Sequence, residues 1–159
     1  PTAAPPTLIL RDTHMADDDR SARLAEFMRR ESRGEIRFWS TLGMRLVSAG
    51  GGRASVRLPF GPHLANGAGV MHGGAVFTAA DAATGVAAMG LLAADETLTT
   101  IEMKVNFIRP VPDGEIVAEA VILHRGRSTA VGETDVKDAE GRLIAKALAT
   151  YAIRRQPQG

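Results

Sequence analysis

Residues 75–92 are almost wholly apolar, mostly alanine with Val76, Phe77, Val86, Met89, Leu91 and Leu92, and carry one carboxylate, Asp81. Alanine favours helix, and a helix apolar on every face is normally enclosed by its fold. The pattern therefore predicts a buried helix with an acid in its middle. Beyond it the period changes from helical to two-residue. Ile101, Met103, Val105 and Phe107 alternate with Glu102, Lys104 and Asn106, as in a half-buried strand. Pro110, Pro112 and Asp113-Gly114 predict a turn, 115–124 a second strand rich in Val and Ile, and 128–137 a third after Arg125-Gly126-Arg127. Asp138-Ala-Glu-Gly141 has hairpin chemistry, and 142–154 reads as a last strand with Leu143, Ala145, Ala147, Ala149 and Tyr151 on one face. Residues 41–58 hold two short extended pieces around Gly50-Gly51-Gly52. Upstream, Asp17 and its neighbours cap a helix that runs through Arg33 to Gly34, with Leu24, Phe27 and Met28 as its buried stripe. A strand pair, one long helix and four strands make an α+β layout: an antiparallel sheet with a helix on one face.

The length, 159 residues, suits one domain with a proper core. Net charge is +1 with acids and bases interspersed, and no basic stripe with interleaved aromatics occurs, which argues against nucleic acid as a partner. The absence of cysteine excludes disulfides, thiolate metal sites and cysteine nucleophiles. His14, His63 and His124 have no partners at metal-ligand spacing, so no metal is expected. The longest apolar stretch is interrupted by Asp81 and is short for a bilayer span, and the Pro-rich start does not read as a secretory signal. A soluble cytoplasmic protein is expected. Residues 1–16 read as flexible, with Met15 a candidate natural start.

An ionised carboxylate inside an apolar helix needs pairing or hydrogen bonds. Asp81 is thus either a structural acid satisfying a buried donor or a reactive one. Just before the helix lies the polar, glycine-rich loop Asn66-Gly-Ala-Gly-Val-Met-His72-Gly73-Gly74. Helix-starting amides have no intrahelical acceptor and carry the positive end of the dipole. Asp81 is eight residues beyond Gly73, roughly 12 Å along a helix axis. One small reacting group cannot touch both within one chain. If the amides polarise a carbonyl while Asp81 supplies or activates the attacking oxygen, two antiparallel helices must meet in a two-fold dimer.

These residues also carry a family resemblance. Asn66 six residues before His72, His72-Gly73-Gly74, Asp81 nine residues after His72, Thr100 opening the alternating strand, and then Arg109-Pro110 and Gly126-Arg127 resemble the hotdog-fold acyl-CoA thioesterases of the phenylacetate-pathway type. The match runs from about Phe38 to Arg155. It implies a hotdog fold, an antiparallel sheet wrapped around one long central helix, preceded here by an N-terminal helical extension. The corresponding division is 1–37 as flexible segment and accessory helix, 38–155 as thioesterase domain and 156–159 as tail. By resemblance, the Gly73 amide binds the thioester carbonyl. Asp81 of the facing subunit is general base or nucleophile, Thr100 holds the attacking water, and Asn66 and His72 fix the loop and the leaving-group side. Gly74 and Phe77 would touch substrate, and Arg127 and Arg109 would take phosphates of coenzyme A, with Arg125 a further candidate. No cofactor is implied, because coenzyme A is part of the substrate. Hotdog dimers of this family pair into tetramers.

Other readings stay open on the sequence. A hydratase or dehydratase on the same fold would use His63 or His72, and a non-catalytic acyl-CoA binder would not need Asp81. A serine hydrolase elbow is absent, and Gly67-x-Gly69-x-x-His72 lacks the last glycine of a dinucleotide fingerprint.

Overall fold

The computed structural model describes residues 17–156. The expectations for residues 1–16, including Met15 and His14, and for the end of the tail lie outside the described residues.

Two helices come first: α1 (Asp17–Ser32) and the short α2 (Arg37–Leu42). The helical pattern before Gly34 predicts α1 but not α2. Gly43, at φ +79°, ends α2, donating to the Ser40 carbonyl while Met44 donates to that of Trp39. These paired bonds satisfy carbonyls that a short helix otherwise leaves open. Trp39 is buried and meets Phe27 of α1 edge to face, with ring centroids 5.3 Å apart. Of the expected stripe on α1, Leu24 is buried and Phe27 half-buried, whereas Met28 faces outward. A helix that touches the body along one narrow line buries fewer positions than its apolar pattern offers.

The hairpin β1 (Arg45–Gly50) and β2 (Arg53–Pro59) turns at Gly51 and Gly52, whose φ values of +56° and +72° favour glycine. Then comes α3 (Gly73–Met89), followed by β3 (Glu96–Phe107), β4 (Glu115–Arg125), β5 (Thr129–Asp138) and β6 (Leu143–Arg155). The six strands form one antiparallel sheet in the order β1-β2-β4-β5-β6-β3. Its concave face closes on α3. Ala79, Ala80, Ala83 and Ala87 of the helix pack in one core with Val56, Leu58, Ile116, Ala118, Val136, Ala145 and Ala147. Small side chains on both surfaces let the backbones approach closely, so the sheet can curl around the helix.

Two expectations change. The helix is not enclosed on all faces in one chain: Gly74, Phe77, Thr78, Asp81 and Gly85, at helical spacing, form a stripe that is exposed or half-buried. The strand after it is longer than its alternating part, and it does not alternate throughout. Thr100 pairs with Tyr151 and Glu102 with Thr150, leaving Ile101 as the extra residue of a bulge. Met103 and Val105 face the core as expected, but Ile101 and Phe107 are both 58% exposed. The extra residue takes Ile101 out of the alternation with Met103, and the sequence alone does not mark it, whereas Phe107 keeps the parity of Met103 and Val105 and lies across the start of α3.

The junction between α3 and β3 is tied by charge. The Glu96 side chain, 4% exposed, pairs with Arg125 at the end of β4 and accepts from the Ala93 N–H at 2.9 Å. Arg23 of α1 donates to the carbonyls of Ala94, at 2.6 Å, and Glu96. Burial opposes ionisation of Glu96, but the hydrogen bonds from Arg125 and Ala93 and the Arg125 charge outweigh it and hold the carboxyl below its usual range. A depressed native value stabilises the fold at neutral pH and loses that contribution as pH falls through it. Arg125→Met should cost on the order of 3 kcal/mol at pH 7, since it strands a buried charge. Urea denaturation across pH 7 to about 3.5 should show the gap between variant and parent narrowing as Glu96 becomes protonated.

Candidate active site

The loop entering α3 is ordered from within. Asn66 Oδ1 accepts from the Ala68 N–H at 2.9 Å and the Val70 N–H at 3.4 Å, while the Asn66 N–H donates to the Val70 carbonyl at 2.8 Å. The main chain then anchors to its surroundings: Met71 N–H donates to the Val111 carbonyl at 2.8 Å and His72 N–H to that of Leu64 at 2.7 Å. His72 is the N-cap of α3, in extended conformation, and its Nδ1 accepts from the Gly74 N–H at 2.8 Å. Nδ1 being the acceptor, a neutral ring carries its proton on Nε2. The His72 carbonyl accepts from Ala75 and Val76. Of the first amides, Gly73 alone finds no acceptor among the described residues. It remains free at the positive end of the helix.

Gly73 opens on a groove of about 310 Å³ whose lining includes Asn66, Val76, Phe107, Arg109 and Ile144. The Phe107 ring lies across Gly73, 3.4 Å from where a Cβ would stand. On the other side of the helix start, a groove of about 240 Å³ is lined by Phe38, Leu42, His63, His72, Gly74 and Thr78, among others.

Asp81 is half-buried two turns along α3. Its Oδ1 accepts from the Tyr151 hydroxyl at 2.8 Å and the Thr100 hydroxyl at 3.2 Å, and the Tyr151 hydroxyl is also 3.1 Å from the Asp81 carbonyl oxygen. Strand register explains the convergence. Thr100 of β3 and Tyr151 of β6 are direct cross-strand partners, so both side chains leave the same face of the sheet toward the helix. Asp81 Oδ2 makes no hydrogen bond among the described residues. The carboxylate is held by one oxygen and presents the other. Burial and the Asp81 charge push the Tyr151 hydroxyl far above its ordinary value, and the Thr100 and Thr84 hydroxyls offset this only in part. Tyr151 is therefore a hydrogen-bond donor at any working pH.

The structure thus joins Asp81 to Thr100 and, separately, Gly73 to Asn66. Sequence reading treats Tyr151 only as part of a strand face. A hydroxyl at a buried position on an otherwise Leu and Ala face was its signal, because a buried tyrosine generally needs a polar partner. Gly74 has its amide occupied by His72. Phe77 is 39% exposed on the open stripe of α3 and lines neither groove. Arg109 borders the Gly73 groove while donating to the Leu143 carbonyl at 2.6 Å. Arg127 is exposed in the β4–β5 turn and forms no ion pair among the described residues. Arg125 is engaged by Glu96. Among the described residues no three His, Asp or Glu side chains are grouped as metal ligands would be, and no helix is long and apolar enough to cross a membrane.

Comparison with known proteins gives a consistent picture. Residues 68–145 match the family pattern described as the thioesterase superfamily. A Saccharolobus solfataricus protein provisionally named an esterase is 34% identical over 114 residues, covering 72% of this chain and 81% of that one. The 1,4-dihydroxy-2-naphthoyl-CoA hydrolase of Listeria monocytogenes is 28% identical, covering 73% of this chain and 94% of its own. Among solved structures, a conserved protein of Pseudomonas aeruginosa aligns with a TM-score of 0.71 at 41% identity, over 74% of this chain and 93% of that one.

The cap on α3 can be tested apart from any activity. His72→Ala should lower stability to urea by about 1 kcal/mol, the usual cost of losing a side-chain cap, and His72→Asn should recover most of it because Asn caps well.

Proposed function

The chain belongs to the thioesterase superfamily, with its hotdog fold, and on that premise we propose that it hydrolyses an acyl-CoA thioester to a free acid and coenzyme A. The observation that carries this reading is the pairing of a free helix-starting amide, Gly73, with a carboxylate, Asp81, anchored through Oδ1 and open at Oδ2.

The thioester carbonyl lies against the Gly73 N–H, which, with the helix dipole behind it, stabilises negative charge developing on that oxygen. Such a donor contributes about 3 kcal/mol to an acyl-transfer transition state. In one route a water beside Thr100 attacks, and Oδ2 takes its proton and passes it to the departing sulfur as the C–S bond breaks. In the other Oδ2 itself attacks and expels the thiolate, and water then hydrolyses the resulting mixed anhydride to the free acid, restoring the Asp81 carboxylate and supplying the proton for the thiolate. Asn66 and His72 serve by fixing the loop that aims the Gly73 amide. Arg109 keeps guanidinium donors beyond the one used on Leu143, and with Arg127 it takes phosphates of coenzyme A.

Gly73 and Asp81 of one chain are roughly 12 Å apart along the helix, too far to act on one carbonyl. A second copy supplies the missing half. Support comes from the open stripe of α3, which carries Phe77 and Asp81 together, and from the edge strand β3 with Ile101 exposed. The resulting dimers associate further into tetramers. The Gly73 groove falls at the lower end of the size range of small-ligand pockets. Aryl acyl groups, like that in the name of the Listeria relative, head the substrate list, followed by short and medium chains.

Free-thiol release from aryl-, short- and medium-chain acyl-CoAs tests the reading. Wild type should hydrolyse at least one of them, and Asp81→Asn should reduce its kcat by about a thousandfold, within the range for loss of a general base. Hydration of an enoyl-CoA without thiol release would replace the hydrolase with a hydratase.

A further inference from the structure

We infer that Tyr151 is a positioning residue of the reaction: clamping both the side chain and the main chain of Asp81, it fixes which carboxylate oxygen reacts. This rests on the hydrolase reading above.

An aspartate on a half-exposed helix face can swing about two side-chain bonds. Thr100, itself on the exposed side of the site, bonds Oδ1 at 3.2 Å and does not by itself prevent that swing. The Tyr151 hydroxyl reaches Oδ1 at 2.8 Å and the carbonyl oxygen of the same residue at 3.1 Å. One group therefore references the carboxylate to the helix backbone that carries it. Tyr151 donates and cannot become a competing anion, because burial and the neighbouring carboxylate oppose its ionisation.

The ring is in turn held still. Tyr151 is 2% exposed, and a Cβ at Gly85 would stand in ordinary contact with it, 3.9 Å from its hydroxyl and 4.0 Å from Cε1. Behind it, Thr84 donates to the Ala80 carbonyl at 2.8 Å and meets the Thr134 hydroxyl at 2.6 Å, both threonines being fully buried. A Cβ at Gly132 would stand 2.6 Å from Thr84 Cγ2 and 2.8 Å from Ile122 Cδ1, so no slack exists on that side. With 2% exposure Tyr151 has no room to touch substrate, and it acts only through Asp81.

Four proteins test this on the best substrate of the thioester panel: wild type, Tyr151→Phe, Asp81→Asn and the double variant. Tyr151→Phe should lower kcat by about 30-fold with KM held within about twofold, since a small misplacement of the reacting group affects the transition state more than binding. In the Asp81→Asn background, Tyr151→Phe should cost nothing further, as expected for a residue working through its partner. Ile116→Val, a truncation at a fully buried core position of β4 that forms no part of the Asp81, Tyr151 and threonine cluster, should lower stability yet keep kcat within about threefold. The inference is overturned if Tyr151→Phe keeps wild-type kcat, if its effect multiplies with that of Asp81→Asn, or if Ile116→Val loses as much kcat as Tyr151→Phe. Failure of the hydrolase reading looks different: Asp81→Asn would then hydrolyse as fast as wild type, or wild type would release no thiol.

Discussion

A carboxylate set among alanines must be given donors, and much of this architecture follows from how Asp81 receives them. Desolvating an ionised acid without hydrogen bonds is costly. The two hydroxyls that meet Asp81 come from β3 and β6, strands separated in sequence by β4 and β5, and only the pairing of Thr100 with Tyr151 brings them side by side. That pairing in turn needs the helix close to the sheet. Alanines on α3 and at Ala145, Ala147 and Ala149 of β6 keep the separation short enough for a hydroxyl to reach across. The small-residue core and the polar contact are thus one solution: larger side chains on either surface would hold the acid beyond its donors.

The helix divides its duties along its length. At the N-terminus, His72 occupies one amide and leaves its neighbour open, so the cap selects which N–H faces the groove. Two turns later the same helix offers an acceptor instead of a donor. The rigid spacing of the helix keeps the open donor and the open acceptor apart, so they cannot satisfy each other through a direct hydrogen bond within one chain. The Glu96 knot serves a related purpose: it fixes the start of β3, four residues before Thr100, to α1 and β4.

Much of this was legible in the sequence because its signals are local. The hydrophobic period separated helix from strands, glycine-containing turns bounded the hairpins, and one acid in an alanine run drew attention to itself. The loop from Asn66 to Gly73 was legible by resemblance as well. The bulge at Ile101 was not, because an extra residue in a ladder is defined by the partner strand and leaves no mark in its own. Tyr151 was missed for the same kind of reason. It lies seventy residues from Asp81, and nothing in its neighbourhood announces the carboxylate; only the register of two strands does. Arg125 illustrates the reverse error, since a guanidinium that reads as a phosphate ligand is spent on a buried glutamate.

The aromatic inventory has a practical side. The chain contains one tyrosine and one tryptophan, and they report on different places. Tyr151 lies against the carboxylate of the site, and Trp39 sits beneath α1 with Phe27 across its edge. Ultraviolet difference absorbance near the tyrosine band therefore follows the electrostatic surroundings of Asp81 as ligand enters, while tryptophan emission follows the seating of the N-terminal helix. Each chromophore is unique, so excitation at the red edge of the tryptophan band isolates docking of the accessory helix, and subtracting the Tyr151→Phe absorbance change from that of wild type isolates the signal from the site.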